Sequence, residues 1–289
     1  MNIPLKYKDR RTEGKTVLRQ SQLVQLHLLH VFDAICKEHG LEYVLDGGTL
    51  IGAMRHNGVI PWDDDIDVGM PKRDYNRFLK IAARELPRDV ILQTPDTAPE
   101  RVMAFCKLRD AYSFYGEPSF GMSLKRPNGI FIDIFPYENM PAIGAWLERK
   151  CVLAMKRAYH YGRALRCSGG RGWLFALFGG WLALPLYAVH YAVKIPMIIL
   201  RHVLPCRNFY YDFRTQFPAR RTISAMYPLR THPFEDGEFP IPNDPDTILS
   251  EHYGDWRTPP PKEEIEKLPH ANLILPFQTC LVSGAMEWK

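Results

Sequence analysis

The run Asp63-Asp64-Asp65-Ile66-Asp67 concentrates four carboxylates in five residues. In an extended chain, residues two apart face the same side. Asp65 and Asp67 would then stand side by side, joined by Asp63 if the strand begins there, with Asp64 facing the other way. Like charges this close repel unless protonated or bridged by a cation. Hard oxygen ligands select Mg²⁺ or Mn²⁺. Such an ion bridges phosphate oxygens and steadies a departing nucleotide phosphate. Asp133 is the natural third ligand, a lone acid in Gly129-Ile130-Phe131-Ile132-Asp133-Ile134-Phe135-Pro136. A buried carboxylate needs a cation or a hydrogen-bond partner. A bare aspartate run is more often a solvated turn, with an acid such as Asp133 capping a helix. The alternation with Ile66 and Val68, and the acid in an apolar strand, favour the metal reading.

Gly47-Gly48-Thr49 precedes a helical pattern. Glycines let a phosphate approach the backbone, and a helix N-terminus favours an anion. Alone, such a pair is commonly just a turn; here it lies shortly before the acids. Arg55, His56 and Lys107 are candidate phosphate contacts, although each residue type is more often a surface charge.

The elements that must position these residues follow from periodicity. Residues 16–39 read as an amphipathic helix, with Val17, Val24, Leu28, Val31, Phe32 and Ile35 at helical spacing and Gly40 as its stop. A short strand at 41–45 leads through the glycines into a helix ending near His56. Asn57-Gly58 marks a turn, and Val59-Ile60 opens a second strand region leading to the acids. Residues 72–86 are predicted helical; 90–93, 101–108 and 129–136 are predicted strands. The fold class is α+β, a mixed sheet flanked by helices. Three regions are expected: a core over 1–141, a helical basic and apolar insert over 142–215, and a loop-rich region over 216–289 that completes the active site.

The stretch from Asp46 to His56, followed by Gly58, Ile60-Pro61-Trp62-Asp63-Asp64-Asp65-Ile66-Asp67 and Met70, resembles the LicD family. That family includes bacterial phosphocholine transferases and the fukutin-related proteins, within the nucleotidyltransferase-fold superfamily. The match is dense over 16–80, patchy over 100–140 and brief at Tyr253-Gly254-Asp255-Trp256 with Pro259-Pro260, which is similar to a C-terminal family signature. By position, the resemblance implies that Gly47 and Gly48 are the superfamily glycines, Asp65 and Asp67 the paired metal ligands and Asp133 the third. It implies a reaction in which a CDP-linked alcohol, often CDP-choline, passes its phospho-alcohol to a glycan hydroxyl and releases CMP. Lipopolysaccharide or a lipid-linked glycan precursor is the kind of acceptor expected. Asp63, another ligand carboxylate or His56 would take the acceptor proton. A rival within the same fold is nucleotidyl transfer from a nucleoside triphosphate, releasing pyrophosphate.

The insert departs from the motif. Between Arg149 and Arg221 stand thirteen Lys or Arg and one acid, Asp212, although the net charge of the whole chain is only +5. Trp173–Val193 approaches the ~20 residues of a bilayer span, but Gly179-Gly180 and Pro185 interrupt it. It reads as an interfacial hairpin, a buried subdomain or a single span, with membrane-surface contact expected through 149–215. A nucleic-acid partner is not expected, because the block's centre is an uncharged apolar run. None of the six cysteines forms a Cys-x-x-Cys pair, and the N-terminus lacks the apolar core of a signal peptide. The expected location is cytoplasmic, peripheral at the inner face of the membrane.

Overall fold

The computed structural model describes residues 8–97, 105–116, 128–141, 188, 191–192, 195–196, 198–211, 220–265 and 273–277. Helix α1 (Val17–His39) starts where the Thr16 side chain accepts the Arg19 N–H and ends at Gly40, φ 59°. Strand β1 (Val44–Leu45) runs into α2 (Gly47–His56), and β2 (Asp67–Pro71) into α3 (Lys72–Glu85). Strands β3 (Val90–Gln93), β4 (Cys106–Asp110), β5 (Phe114–Gly116) and β6 (Phe131–Met140) follow. After the insert come β7 (Asn208–Tyr211), β8 (Arg220–Thr222) and α4 (Ile223–Met226). The chain continues with β9 (Arg230–Phe234), β10 (Gly237–Ile241), α5 (Pro245–Tyr253), α6 (Lys262–Ile265) and β11 (Leu273–Leu275).

The main sheet runs β1-β2-β6-β4-β3, mixed in sense, with helices α1 and α3 packed against it. This is the α+β architecture expected. At its centre β2 and β6 are parallel; β1, β4 and β7 pair antiparallel to their neighbours. Ile66, Val68 and Met70, with Ile132 and Ile134, are fully buried in one core. The alternation of side chains then gives Asp67 and Asp133 to the opposite face. Phe135, Tyr137, Phe209 and Tyr211 form a second apolar cluster on that side of the sheet.

Two local expectations change. Val59 and Ile60 are buried but form no strand, and the chain from Pro61 to Ile66 is a loop, so the strand starts only at Asp67. Residues 101–104, and Trp173–Val193 apart from 188 and 191–192, lie outside the described residues. The sheet resumes at Asn208, inside the stretch set apart as insert. Met140 pairs directly with Asn208, so the excursion between them begins and ends at one place on one sheet. A single membrane crossing, which would leave its two ends on opposite faces of a bilayer, does not fit this pairing. Among the described residues no helix is long and apolar enough to cross a membrane.

Candidate active site

The register of the two parallel strands sets Asp67 directly opposite Asp133. The pairing is locked by the Asp133 N–H donating to the Ile66 carbonyl at 2.9 Å and the Asp46 N–H donating to the Asp67 carbonyl at 3.0 Å. Two acids from distant parts of the chain therefore lie side by side on one face. Burial, then the charges of Asp65, Asp133, Asp46 and Asp63, push the Asp67 carboxyl well above its ordinary pKa. Asp65 and Asp63 thus belong to the same electrostatic cluster. They reach it from a loop rather than a strand.

That loop is held by α1. Gln22 Nε2 donates to the carbonyls of Ile60 and Asp63 at 3.2 and 2.9 Å, and Gln25 Nε2 to the carbonyl of Asp64. Asp64 does face away, as expected: its Oδ2 accepts the Tyr115 hydroxyl at 2.8 Å, beneath the site.

The glycines close the other side. Gly47 has φ 55°, a conformation that favours glycine. A Cβ on Gly47 would lie 2.9 Å from Asp67 Oδ2, and one on Gly48 2.7 Å from Asp63 Oδ2. At both positions an acid approaches the turn too closely for a Cβ. Thr49 serves the backbone here: its buried hydroxyl accepts the Asp67 N–H at 2.8 Å.

Lys107 lies across from Asp133 on β4 and is almost wholly buried. Its ammonium sits 2.7 Å from Asp133 Oδ1 and 3.4 Å from the Phe131 ring centroid. This candidate phosphate contact thus stands beside the third acid. Arg55 and His56 close α2 at its far end, roughly 12 Å along the axis from Gly47 at 1.5 Å per residue. Arg55 donates to the Trp256 carbonyl at 3.1 Å and lies 5.8 Å over the Trp62 ring. Burial and the Arg55 charge lower the His56 pKa, which keeps the imidazole neutral near pH 7.

The oxygen donors of this cluster are of the kind that suits a hard divalent cation. Among the described residues, no three His, Cys, Asp or Glu side chains already converge as ready-made ligands.

The glycine turn, the aspartate loop and the Asp133 strand fall together within residues 40–150, which match the family model described as LicD/FKTN/FKRP, nucleotidyltransferase domain. Residues 40–150 are thus a LicD-type domain. It is 27% identical to the lipopolysaccharide cholinephosphotransferase LicD of Haemophilus influenzae, over 86% of this chain and 95% of that protein. It is 51% identical over 46 residues to the human ribitol 5-phosphate transferase FKRP, a stretch covering 16% of this chain and 9% of that protein.

Beyond the LicD domain match, the structure adds residues that the sequence reading left out. Asp46 caps α2 and accepts the Gly47 N–H at 2.8 Å. Its other contacts are the Tyr211 hydroxyl at 2.6 Å and the Arg221 guanidinium, whose Nε lies 3.0 Å away. Burial opposes ionisation of Asp46. The Arg221 charge and the Tyr137 and Tyr211 hydroxyls outweigh it and hold the carboxyl below its usual range. The turn that carries the glycines is thus anchored by strands β7 and β8, beyond the insert. The only signal in the sequence was an acid immediately before two glycines, with nothing to name its partner.

Proposed function

We propose that this LicD-family phosphotransferase moves a phospho-alcohol, phosphocholine or a polyol phosphate, from a CDP-linked donor to a glycan hydroxyl, releasing CMP. The observation that carries the reading is the register of Asp67 with Asp133 beneath the two-glycine start of α2. The names of its relatives support the class of group transferred: choline phosphate for one, ribitol 5-phosphate for another.

Asp65, Asp67 and Asp133 would hold Mg²⁺ or Mn²⁺, and the ion, when bound, supplies positive charge to the donor's diphosphate. The Gly47-Gly48 turn brings backbone N–H groups and the positive end of α2 to the same phosphates. The acceptor hydroxyl attacks phosphorus in line with the departing CMP oxygen. Asp63, close to Gly48 and carried on a loop, would take its proton. Lys107 balances the charge of Asp133. Arg55, His56 and Trp62 gather at the far end of α2, where they would meet the parts of a substrate remote from the phosphates.

A lipid-linked glycan acceptor, and contact with the membrane surface, fit the region that precedes β7. Tyr191, Ile195, Ile199 and Val203 recur every fourth residue, and all four are exposed. Arg201 and Arg207 lie at the end of this stripe. An anionic bilayer surface suits that combination.

The reading is tested by calorimetric titration of CDP-choline and CDP-ribitol, with and without Mg²⁺, on the wild type and Asp65→Asn. Metal-dependent binding of one donor that the variant loses is expected. Absence of binding for both, or binding indifferent to metal, would overturn the donor assignment. Release of pyrophosphate from a nucleoside triphosphate would move the chemistry to nucleotidyl transfer.

A further inference from the structure

The segment Tyr253-Gly254-Asp255-Trp256 is built as a seat for one side chain. Helix α5 is capped at its start by Asp244, which accepts the Thr247 N–H at 3.0 Å, and ends at Tyr253. Gly254, φ 69°, turns the chain out of the helix while its N–H stays on the Ser250 carbonyl at 3.0 Å. Trp256 is buried. Its indole N–H donates to Asp246 in the first turn of α5 at 3.0 Å, and its carbonyl accepts from Arg55 of α2 at 3.1 Å. Asp255 holds the following turn through the Thr258 hydroxyl at 2.6 Å. The C-terminal end of α5 is thereby fixed against α2.

What this fixes is the Tyr253 phenol. Its oxygen lies 3.5 Å from the position a Gly47 Cβ would take, and that same position is 2.9 Å from Asp67 Oδ2. The Gly47 turn is therefore approached by a carboxylate and by a phenol. The ring rests edge-on against His252, with centroids 4.3 Å apart. The residue is 44% exposed, and a phenol ordinarily titrates only near about pH 10. It stays protonated at neutral pH and is a donor. Among the described residues its hydroxyl has no hydrogen-bond partner. A phosphate oxygen seated over Gly47 would be a strong acceptor for it.

We propose that Tyr253 is a substrate-contacting residue whose hydroxyl donates to a non-bridging phosphate oxygen of the donor. The proposal rests on the transferase reading above. It assigns the C-terminal region a direct contact with the substrate, through a residue more than 100 positions beyond the last of the acids.

The test is Tyr253→Phe, which keeps the ring and removes only the hydroxyl. CDP-choline and CDP-ribitol are titrated calorimetrically in Mg²⁺, Mn²⁺ binding is measured alone by its paramagnetic signal, and thermal melting is followed. A hydrogen bond to a charged group corresponds to roughly 10- to 100-fold in affinity. The variant is expected to lose about that factor for the donor that binds wild type, with Mn²⁺ affinity and melting temperature unchanged. Unchanged donor affinity would overturn the proposal while leaving the transferase reading intact. A parallel loss of Mn²⁺ affinity would also overturn it, because the phenol would then be acting on the acids. If wild type binds neither donor, the transferase reading fails and this proposal falls with it.

Discussion

Replacing Arg221 with Leu tests whether the site's frame depends on a residue distant in sequence. Arg221 is 2% exposed and Asp46 is 1% exposed, so their ion pair is wholly internal. Deleting one partner of a buried pair typically costs about 3–5 kcal/mol, because the remaining charge is left uncompensated. For a chain of this size that corresponds to a fall in melting temperature of roughly 10 °C. The pH dependence separates this cause from a simple packing loss. In the wild type the Asp46 carboxyl titrates below its ordinary value. Its contribution is therefore complete above the unfolded pKa of about 4 and is lost as pH falls through the lower folded value. In Arg221→Leu, burial acts without the guanidinium and raises that carboxyl, so the stability penalty grows as pH rises from about 4 to 7. Urea denaturation midpoints at about pH 4.5 and pH 7 should show a deficit that is largest at the higher pH. Asp46→Asn in the same background should recover part of it at pH 7. A deficit below about 1 kcal/mol, or one indifferent to pH, would refute the account.

Three further outcomes follow from the site's geometry. Lys107→Met leaves Asp133 without its internal cation, so the metal-free protein should melt several degrees lower. Mg²⁺ should restore more stability to it than to the wild type, as read by thermal melting with and without EDTA. Gly47→Ala puts a Cβ 2.9 Å from Asp67 Oδ2 and forces a non-glycine residue to φ 55°. The conformational part alone costs about 1–2 kcal/mol, and calorimetry should show donor binding lost. Mg²⁺ at about 100 times its dissociation constant should stabilise the wild type by about 2.7 kcal/mol. Asp67→Asn should abolish that gain and raise the melting temperature of the metal-free protein by relieving carboxylate repulsion.

The local parts of this architecture were legible because their signals are local. Helix α1 announces itself by spacing and its terminal glycine, and α3 by its apolar face. The Asp133 strand is a continuous apolar run with one acid. The aspartate loop was harder to read. Its alternation imitates a strand, yet Ile66 alternates because it enters the core, and Asp64 because Tyr115 receives it. The order of this loop comes from Gln22 and Gln25, polar residues in the buried part of α1 that the helical period treats only as interruptions. Basic charge misled in a related way. Arg221 was counted in a block meant for an anionic partner, whereas its partner is Asp46, 175 residues earlier. No spacing rule connects such positions, since the pairing exists only after β7 and β8 have joined the sheet. That joining also explains how a catalytic fold tolerates so different an insert. The chain leaves the sheet at Met140 and returns at Asn208, its paired neighbour. An excursion with adjoining ends places little demand on the frame that carries it. The stretch between them can therefore differ without moving Asp67, Asp133 and Asp46, which strands on either side of it hold in place.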